Sequence, residues 1–105
     1  MSILDCEFHL PITDDLMSHQ GFEKCWGWLD PKLYYCKTII VSKSGFRETI
    51  HCRVECNHDH FKMTWTASIR IPNRFYKRVS NLEEVMDNLD GFNRWCNSHQ
   101  YYKIK

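Results

Sequence analysis

The chain has 105 residues, of which 43% are hydrophobic and 26% are charged. This composition excludes intrinsic disorder, and no apolar run approaches the roughly 20 residues that a membrane-spanning helix needs. The formal net charge is +1, which argues against strong nonspecific binding to a phosphate backbone. The length suits one hydrophobic core, so residues 1–105 are predicted to form a single domain.

The compartment is predicted from two features. The N-terminus lacks the basic and apolar regions of a signal peptide, and the six cysteines therefore lack the secretory context in which disulfide frameworks form. Reduced thiols and a cytoplasmic location are predicted. Alanine occurs once and aromatic residues make up 14%. We interpret this as a hint of a small accessory protein, such as those that phages and other mobile elements encode.

Charge is distributed unevenly along the chain. Residues 1–30 carry a net charge of −5, residues 31–80 carry +7 and residues 81–105 carry −1. Such asymmetry can mark a surface for a charged partner. Folding could equally mix both signs over the surface, and the sequence leaves that alternative open.

The first predicted elements are a strand and a helix. Residues 2–10 alternate between apolar and polar side chains up to Pro11, which predicts an edge strand. Residues 18–29 are predicted to form a helix, capped by Ser18 or Asp14, although two glycines each cost about 1 kcal/mol within it. Its helical spacing is carried by Phe22, Cys25, Trp26 and Leu29.

The middle of the chain, residues 33–71, is predicted to form a three-stranded antiparallel meander. A three-residue loop at residues 43–45 would pair Cys36 with Cys52 on the core face. A two-residue loop at residues 44–45 would instead turn Lys37 toward that face. The first register is preferred because it keeps the lysine out of the core.

The second hairpin, residues 46–71, has a more strongly specified register. Apolar residues occupy even positions before the turn at residues 57–60 and odd positions after it. The expected pairs are Cys56 with Phe61, Val54 with Met63, Cys52 with Trp65, Ile50 with Ala67, Glu55 with Lys62 and Arg47 with Arg70.

A second helix is predicted after residue 80. Ser80 and Glu83 match a capping box, and Gly91 is expected to kink or divide the helix. The tail from residue 98 is predicted to be a short strand or an ordered arm. The apolar stripe of the helix comprises Leu82, Val85, Met86, Leu89, Phe92 and Cys96.

The predicted fold class is therefore α+β, with a three- to four-stranded antiparallel sheet packed on one face by one or two helices in the order β-α-β-β-β-α. From the first helix onward this order is similar to that of the double-stranded-RNA-binding domain. The similarity covers element order alone, because residues 81–84 place two glutamates where that family carries a basic signature. It implies no function for this chain.

A zinc site is one hypothesis for the densest cluster of metal-binding residue types. Cysteine and histidine are the usual ligands of tetrahedral zinc. The spacing C-x3-C-x-H-x-H lacks the C-x2-C pair of common zinc modules, and the alternation already explains the cysteines as core. No cofactor is therefore predicted, with zinc as the alternative. The candidate ligands are Cys52, Cys56, His58 and His60.

No catalytic motif is recognisable, so the protein is predicted not to be an enzyme. Aromatic side chains exceed what so small a core needs to bury, and surface Tyr and Trp are typical of protein interfaces. The leading prediction is thus a protein-binding inhibitor or modulator of a larger enzyme or complex, with no membrane association.

The predicted binding surface follows from the basic and aromatic composition of residues 70–78 together with the tail. The alternative function is nucleic-acid binding through the same segment 70–78, whose bases would contact phosphates while its rings stack on nucleobases. The predicted surface comprises Arg70, Arg74, Phe75, Tyr76, Lys77, Arg78, Tyr101 and Tyr102.

Overall fold

The computed structural model describes residues 10–26, 33–57 and 59–104. They form an α+β structure in which two helices lie on one face of an antiparallel sheet. The elements are α1 (Asp14–His19), β1 (Glu23–Trp26), β2 (Leu33–Lys43), β3 (Phe46–Asn57), β4 (His60–Thr66), a 3-10 turn (Asn73–Phe75), β5 (Lys77–Val79), α2 (Leu82–Ser98) and β6 (Tyr102–Lys103). The strands lie side by side in the order β1-β2-β3-β4-β5. Strand β6 also pairs with β2, on the same edge as β1 but at the other end of that edge.

The strand count corrects the prediction of three to four strands. The described residues contain six, because β1, β5 and β6 have only four, three and two residues and are too short to show alternation. The predicted strand at residues 2–10 lies outside the described residues except for Leu10, which is in no strand. Since β1 follows α1 and β5 precedes α2, the element order also departs from that of the double-stranded-RNA-binding domain.

The predicted helix at residues 18–29 is wrong for most of its described length. Helix α1 begins earlier and ends at His19, and its cap is Thr13, whose hydroxyl accepts the Leu16 N–H at 3.3 Å. Gly21 then takes a φ of +86° and reverses the chain. Phe22 is buried and the next residues form β1. Residues 27–29 lie outside the described part.

The first hairpin adopts the register that was not preferred. Lys43 pairs with Phe46 around a two-residue loop, so Lys37 pairs with Cys52 on the face that carries the helices, and Cys36 lies on the other face. The ammonium group of Lys37 is partly buried, and it donates a hydrogen bond to the Gln20 carbonyl at 2.8 Å. Its aliphatic stem can then cover apolar surface without an unpaired charge.

Gly45 is the residue on which this loop depends. Ser44 and Gly45 have φ values of +52° and +84°, as a type I′ turn requires. We expect Gly45→Ala to lower the free energy of unfolding by about 1–2 kcal/mol, because a Cβ is strained in the left-handed region. No atom lies within 4 Å of the added Cβ, so a steric clash would not contribute. Urea denaturation measures the loss. Ser44→Asn is the control, and it should not destabilise because Asn-Gly favours this turn.

The second hairpin confirms most of the predicted register. Cys52 pairs with Trp65, Val54 with Met63, Cys56 with Phe61 and Glu55 with Lys62. Strand β4 ends at Thr66, however, so neither the expected Ile50–Ala67 pair nor the expected Arg47–Arg70 pair forms.

Helix α2 confirms the apolar stripe but not its cap. The helix continues through Gly91 without division. The cap is Asn81, whose side-chain oxygen accepts the Glu84 N–H at 3.0 Å, and the Glu84 carboxylate accepts the Ser80 N–H at 3.2 Å. Glu83 instead accepts the Leu10 N–H at 2.9 Å. The buried residues are Leu82, Val85, Asn88, Leu89, Phe92 and Cys96, while Met86 is half-buried.

An aromatic cluster joins α2 to the sheet. The ring of Phe92 lies 4.3 Å from that of Trp65 and 5.5 Å from that of Phe75, measured between centroids. The carbonyl oxygen of Phe75 accepts two hydrogen bonds at 2.8 Å, one from Trp65 Nε1 and one from Asn88 Nδ2. The 3-10 turn, β4 and α2 therefore meet at a single backbone oxygen.

Tyr35 connects β2 to α1 through a hydrogen bond. Its hydroxyl donates to the Asp14 carboxylate at 2.6 Å, and Lys24 donates to the other oxygen of that carboxylate at 2.9 Å. Burial, followed by the hydrogen bond to Asp14, raises the pKa of Tyr35 to about 12.

This pKa predicts a loss of stability at alkaline pH. Because the pKa of Tyr35 is higher in the folded state than the usual value of about 10, its contribution is complete below pH ~10 and is lost as the pH rises toward 12. The free energy of unfolding, measured in urea between pH 9 and 12, should therefore decline more steeply for the wild type than for Tyr35→Phe. Tyr102→Phe, which alters an exposed tyrosine, should keep the wild-type decline. Equal slopes for Tyr35→Phe and the wild type would contradict the assignment.

Candidate functional site

The predicted binding surface is divided by the fold. Lys77 and Arg78 lie in β5, whereas Tyr102 lies in β6, which pairs with β2 on the other side of the sheet. Arg70 is exposed in the connection after β4. The segment 70–78 and the tail therefore do not form one continuous surface through the strands that hold them.

Three aromatic members of the predicted surface are structurally engaged. Phe75 is only 4% exposed, which corrects its assignment to the surface, because its ring packs in the aromatic cluster. Tyr76 donates its hydroxyl to the Trp65 carbonyl at 3.1 Å. Tyr101 stacks against Trp95 at a centroid distance of 5.9 Å and is half-buried.

The predicted zinc ligands do not converge where the structure describes them. Cys52 is fully buried beneath the helices, and burial raises the pKa of its thiol. His60 lies at the turn, with Nδ1 3.2 Å from the Asp59 carboxylate, and His58 lies outside the described residues. Within residues 10–26, 33–57 and 59–104, no three His, Cys, Asp or Glu side chains are grouped so that they could hold a metal ion.

Burial raises the pKa of three thiols in the described parts of the chain, those of Cys36, Cys52 and Cys96. Five cysteines there are free. Burial raises the pKa of Cys96 to about 11, and burial followed by the neighbouring Cys25 raises that of Cys36. Because the thiolate is the reactive form, these shifts make both side chains poorer nucleophiles.

The charges separate by layer. The two helices carry six acidic side chains and only one basic side chain, Arg94. The opposite face of the sheet, called here the open face, carries four basic and two acidic side chains in the described residues. The two signs are therefore not evenly mixed over the surface, which favours the first alternative left by the sequence, a surface suited to a charged partner. The charged residues of the open face are Arg47, Arg53, Lys62, Arg78, Glu23 and Glu55.

The centre of the open face is a shallow polar depression. Its volume is about 200 Å³. The guanidinium carbon of Arg53 lies 4.1 Å from the Tyr34 ring centroid, and its Nη1 lies 3.7 Å from the Glu55 carboxylate. Nearby, Thr38 Oγ1 and His51 Nδ1 are 3.2 Å apart. These polar groups largely satisfy one another.

One end of the sheet exposes apolar side chains instead. Ile104 donates its N–H to the Ile40 carbonyl at 3.0 Å, and Tyr102 pairs with Ser42, so Ile40, Tyr102 and Ile104 share the open face. Phe46 is 74% exposed at the same end, but it is in phase with Ile50 and lies on the face that carries the helices, beside Tyr101. We call Ile40, Tyr102 and Ile104 the β6 patch. It contains three of the six exposed large apolar side chains in the described residues.

Sequence reasoning identified only Tyr102 in the β6 patch. Ile40 was missed because the preferred register ignored the two-residue loop, which leaves this isoleucine facing outward. Ile104 lies in the tail, which was predicted as a short strand or an ordered arm and, beyond Tyr101 and Tyr102, not as part of a surface.

Within the described ranges, no helix is both long enough and apolar enough to cross a membrane. Comparison of the chain with models of known protein families, with curated proteins and with solved structures finds no match. The surfaces of the described residues are therefore the basis for proposing a function.

Proposed function

We propose that this protein binds another protein through the β6 patch and thereby inhibits or modulates a larger enzyme or complex. The observation that carries the proposal is the concentration of exposed apolar side chains at one end of the sheet. Tyr102 is 57% exposed, and Ile40 and Ile104 lie beside it on the same face. Large aromatic side chains of this kind are the usual anchors of protein interfaces.

Charge narrows the chemistry of the partner. Arg47 pairs with Ser42, which pairs on its other side with Tyr102, so Arg47 lies on the same face as the β6 patch. Its side chain is exposed and places positive charge beside the apolar anchors. The matching surface would be an apolar pocket with an acidic rim, because charge complementarity guides association and excludes wrong partners.

The test begins with capture of partners from source cells on immobilised wild-type protein. Each captured protein is purified and titrated against Tyr102→Ala/Ile104→Ala by calorimetry. We expect the double variant to bind at least about tenfold more weakly, since hot-spot residues each cost more than 1 kcal/mol. Assaying the captured enzyme or complex then measures inhibition.

The matched control is Leu10→Ala, which removes an exposed apolar side chain close to the start of α2. It should bind as the wild type does. Equal affinity of the wild type and the Tyr102→Ala/Ile104→Ala variant for every purified partner would refute the β6 patch as the interface.

A second candidate function is binding of single-stranded nucleic acid on the open face. The observation that favours it is the direct cross-strand pairing of Lys62 with Arg78. Like charges in that position repel each other, and a phosphate between them would relieve the repulsion. Tyr34 and Arg53 in the neighbouring depression would supply a ring and a further cation.

Salt dependence tests this candidate. If Lys62, Arg78 and Arg53 each contact a phosphate, the logarithm of the affinity should fall with the logarithm of salt concentration with a slope of about −2. Lys62→Ala/Arg78→Ala should reduce the steepness by more than half. A mobility shift that shows no complex even at low salt would exclude nucleic-acid binding.

A further inference from the structure

A groove separates the 3-10 turn from the second half of α2. Its volume is about 390 Å³, within the range of small-ligand sites. Phe75 and Trp95 contribute its aromatic surface, with ring centroids 6.3 Å apart. Gly91 has no side chain, so the space between the walls stays open. A Cβ at this position would lie in that space, 3.6 Å from the Phe75 ring. The lining residues are Arg74, Phe75, Gly91, Arg94, Trp95 and Ser98.

The two arginines of the groove lack acidic partners. The lining contains no carboxylate, and neither guanidinium belongs to any ion pair formed within the described residues. Asp90 precedes Arg94 by four residues, a spacing that favours an ion pair on a helix. Arg94 nevertheless extends over Gly91, since its Nη2 lies 3.8 Å from the position of a Cβ there.

Arg74 approaches the groove from the opposite wall. Its guanidinium carbon lies 4.8 Å from the centroid of the Phe75 ring. Two exposed guanidinium groups thus border a cleft with aromatic walls. Guanidinium groups bind phosphate and carboxylate through paired N–H donors, so an anion is the chemical complement of this arrangement.

We propose that this groove binds an organic phosphate monoester that carries a planar ring. A phosphate monoester has a charge of about −1.5 to −2 at pH 7, which matches two guanidinium groups better than the single charge of a carboxylate. The ring occupies the space that Gly91 leaves beside Phe75 and Trp95. This site is separate from the β6 patch and from the Lys62–Arg78 pair.

Calorimetry with phenyl phosphate tests the proposal at low ionic strength. Binding should be tighter than that of benzoate, which has the ring without the dianion, and tighter than that of methyl phosphate, which lacks the ring. Absence of phenyl phosphate binding at millimolar concentration, or equal affinity for the three compounds, would overturn the proposal.

Arginine variants locate the site. Arg74→Ala and Arg94→Ala should each weaken phenyl phosphate binding about tenfold, the usual effect of losing a hydrogen bond to a charged group. Arg78→Ala removes an exposed arginine from β5, away from the groove, and should leave the affinity unchanged. An equal loss in all three variants would show nonspecific charge attraction and overturn the site.

Gly91→Met separates binding from folding. Methionine has a higher helix propensity than glycine, and its side chain would occupy the groove beside Phe75. We expect the affinity to fall about tenfold without a decrease in the urea midpoint. Unchanged affinity would overturn the proposed position of the ring.

Two natural sources share the phosphate-on-ring chemistry, namely nucleotides and phosphotyrosine. Titration with AMP and with O-phosphotyrosine distinguishes them, and the tighter ligand identifies the source. Failure of both to bind would overturn the proposal even if phenyl phosphate binds.

Discussion

Replacing Phe92 by alanine should lower the free energy of unfolding by about 3–5 kcal/mol. Phe92 is fully buried and contacts the rings of Trp65, Phe75 and Trp95. Removing its ring would leave a cavity between α2 and the sheet that these rigid neighbours cannot close. Because domains of this size are stable by about 5–15 kcal/mol, the loss would be a large fraction of the total. Urea denaturation followed by tryptophan fluorescence measures it.

The matched control makes the same chemical change at the surface. Phe46→Ala deletes an identical ring that is 74% exposed, and its effect should stay within about 0.5 kcal/mol. Similar losses at both positions would mean that α2 does not pack on the sheet as described.

The second large expected effect is a coupling free energy between Asn88 and Trp65, which both donate to the Phe75 carbonyl oxygen. Asn88→Ala removes one hydrogen bond to this oxygen and Trp65→Phe removes the other, while the remaining bond still satisfies it. Only the double variant leaves a buried carbonyl without a donor, at a cost of about 1–3 kcal/mol. We therefore expect the double variant to be less stable than the sum of the single effects by about 1–2 kcal/mol.

A double-mutant cycle in urea measures this coupling. The control cycle combines Trp65→Phe with Val85→Ala, which truncates a buried side chain of α2 that donates to no carbonyl. Its coupling should be smaller than that of the Asn88 cycle. Additive losses for Asn88→Ala and Trp65→Phe would contradict the shared acceptor.

Long alternating segments made the centre of the sheet predictable. In β3 and β4 a one-residue slip would expose every apolar side chain, so pattern alone specifies the register. The first hairpin was different, because the two candidate loops each place apolar residues on the core face. The deciding factors were the backbone of Ser44 and Gly45 and the carbonyl of Gln20, which accepts the Lys37 ammonium group.

Short elements and surfaces depend on contacts that the sequence does not display. The spacing of Phe22 and Cys25 suits a helix, yet the reversal at Gly21 places both in the segment that joins α1 to β2. The groove was equally hidden, since it requires Arg74 to meet Gly91 and Arg94 across about 20 residues of chain. Of its lining residues only Arg74 and Phe75 were predicted to belong to a binding surface, and Phe75 is buried.

The separation of charge between the layers gives the molecule a permanent electric dipole. The negative end lies at the helices and the positive end at the open face of the sheet. In the field of a strongly acidic partner the protein would rotate before contact and arrive with the open face leading. This alignment acts only within the screening length of about 8–10 Å at physiological salt. Added salt should therefore slow association with such a partner more than it speeds dissociation.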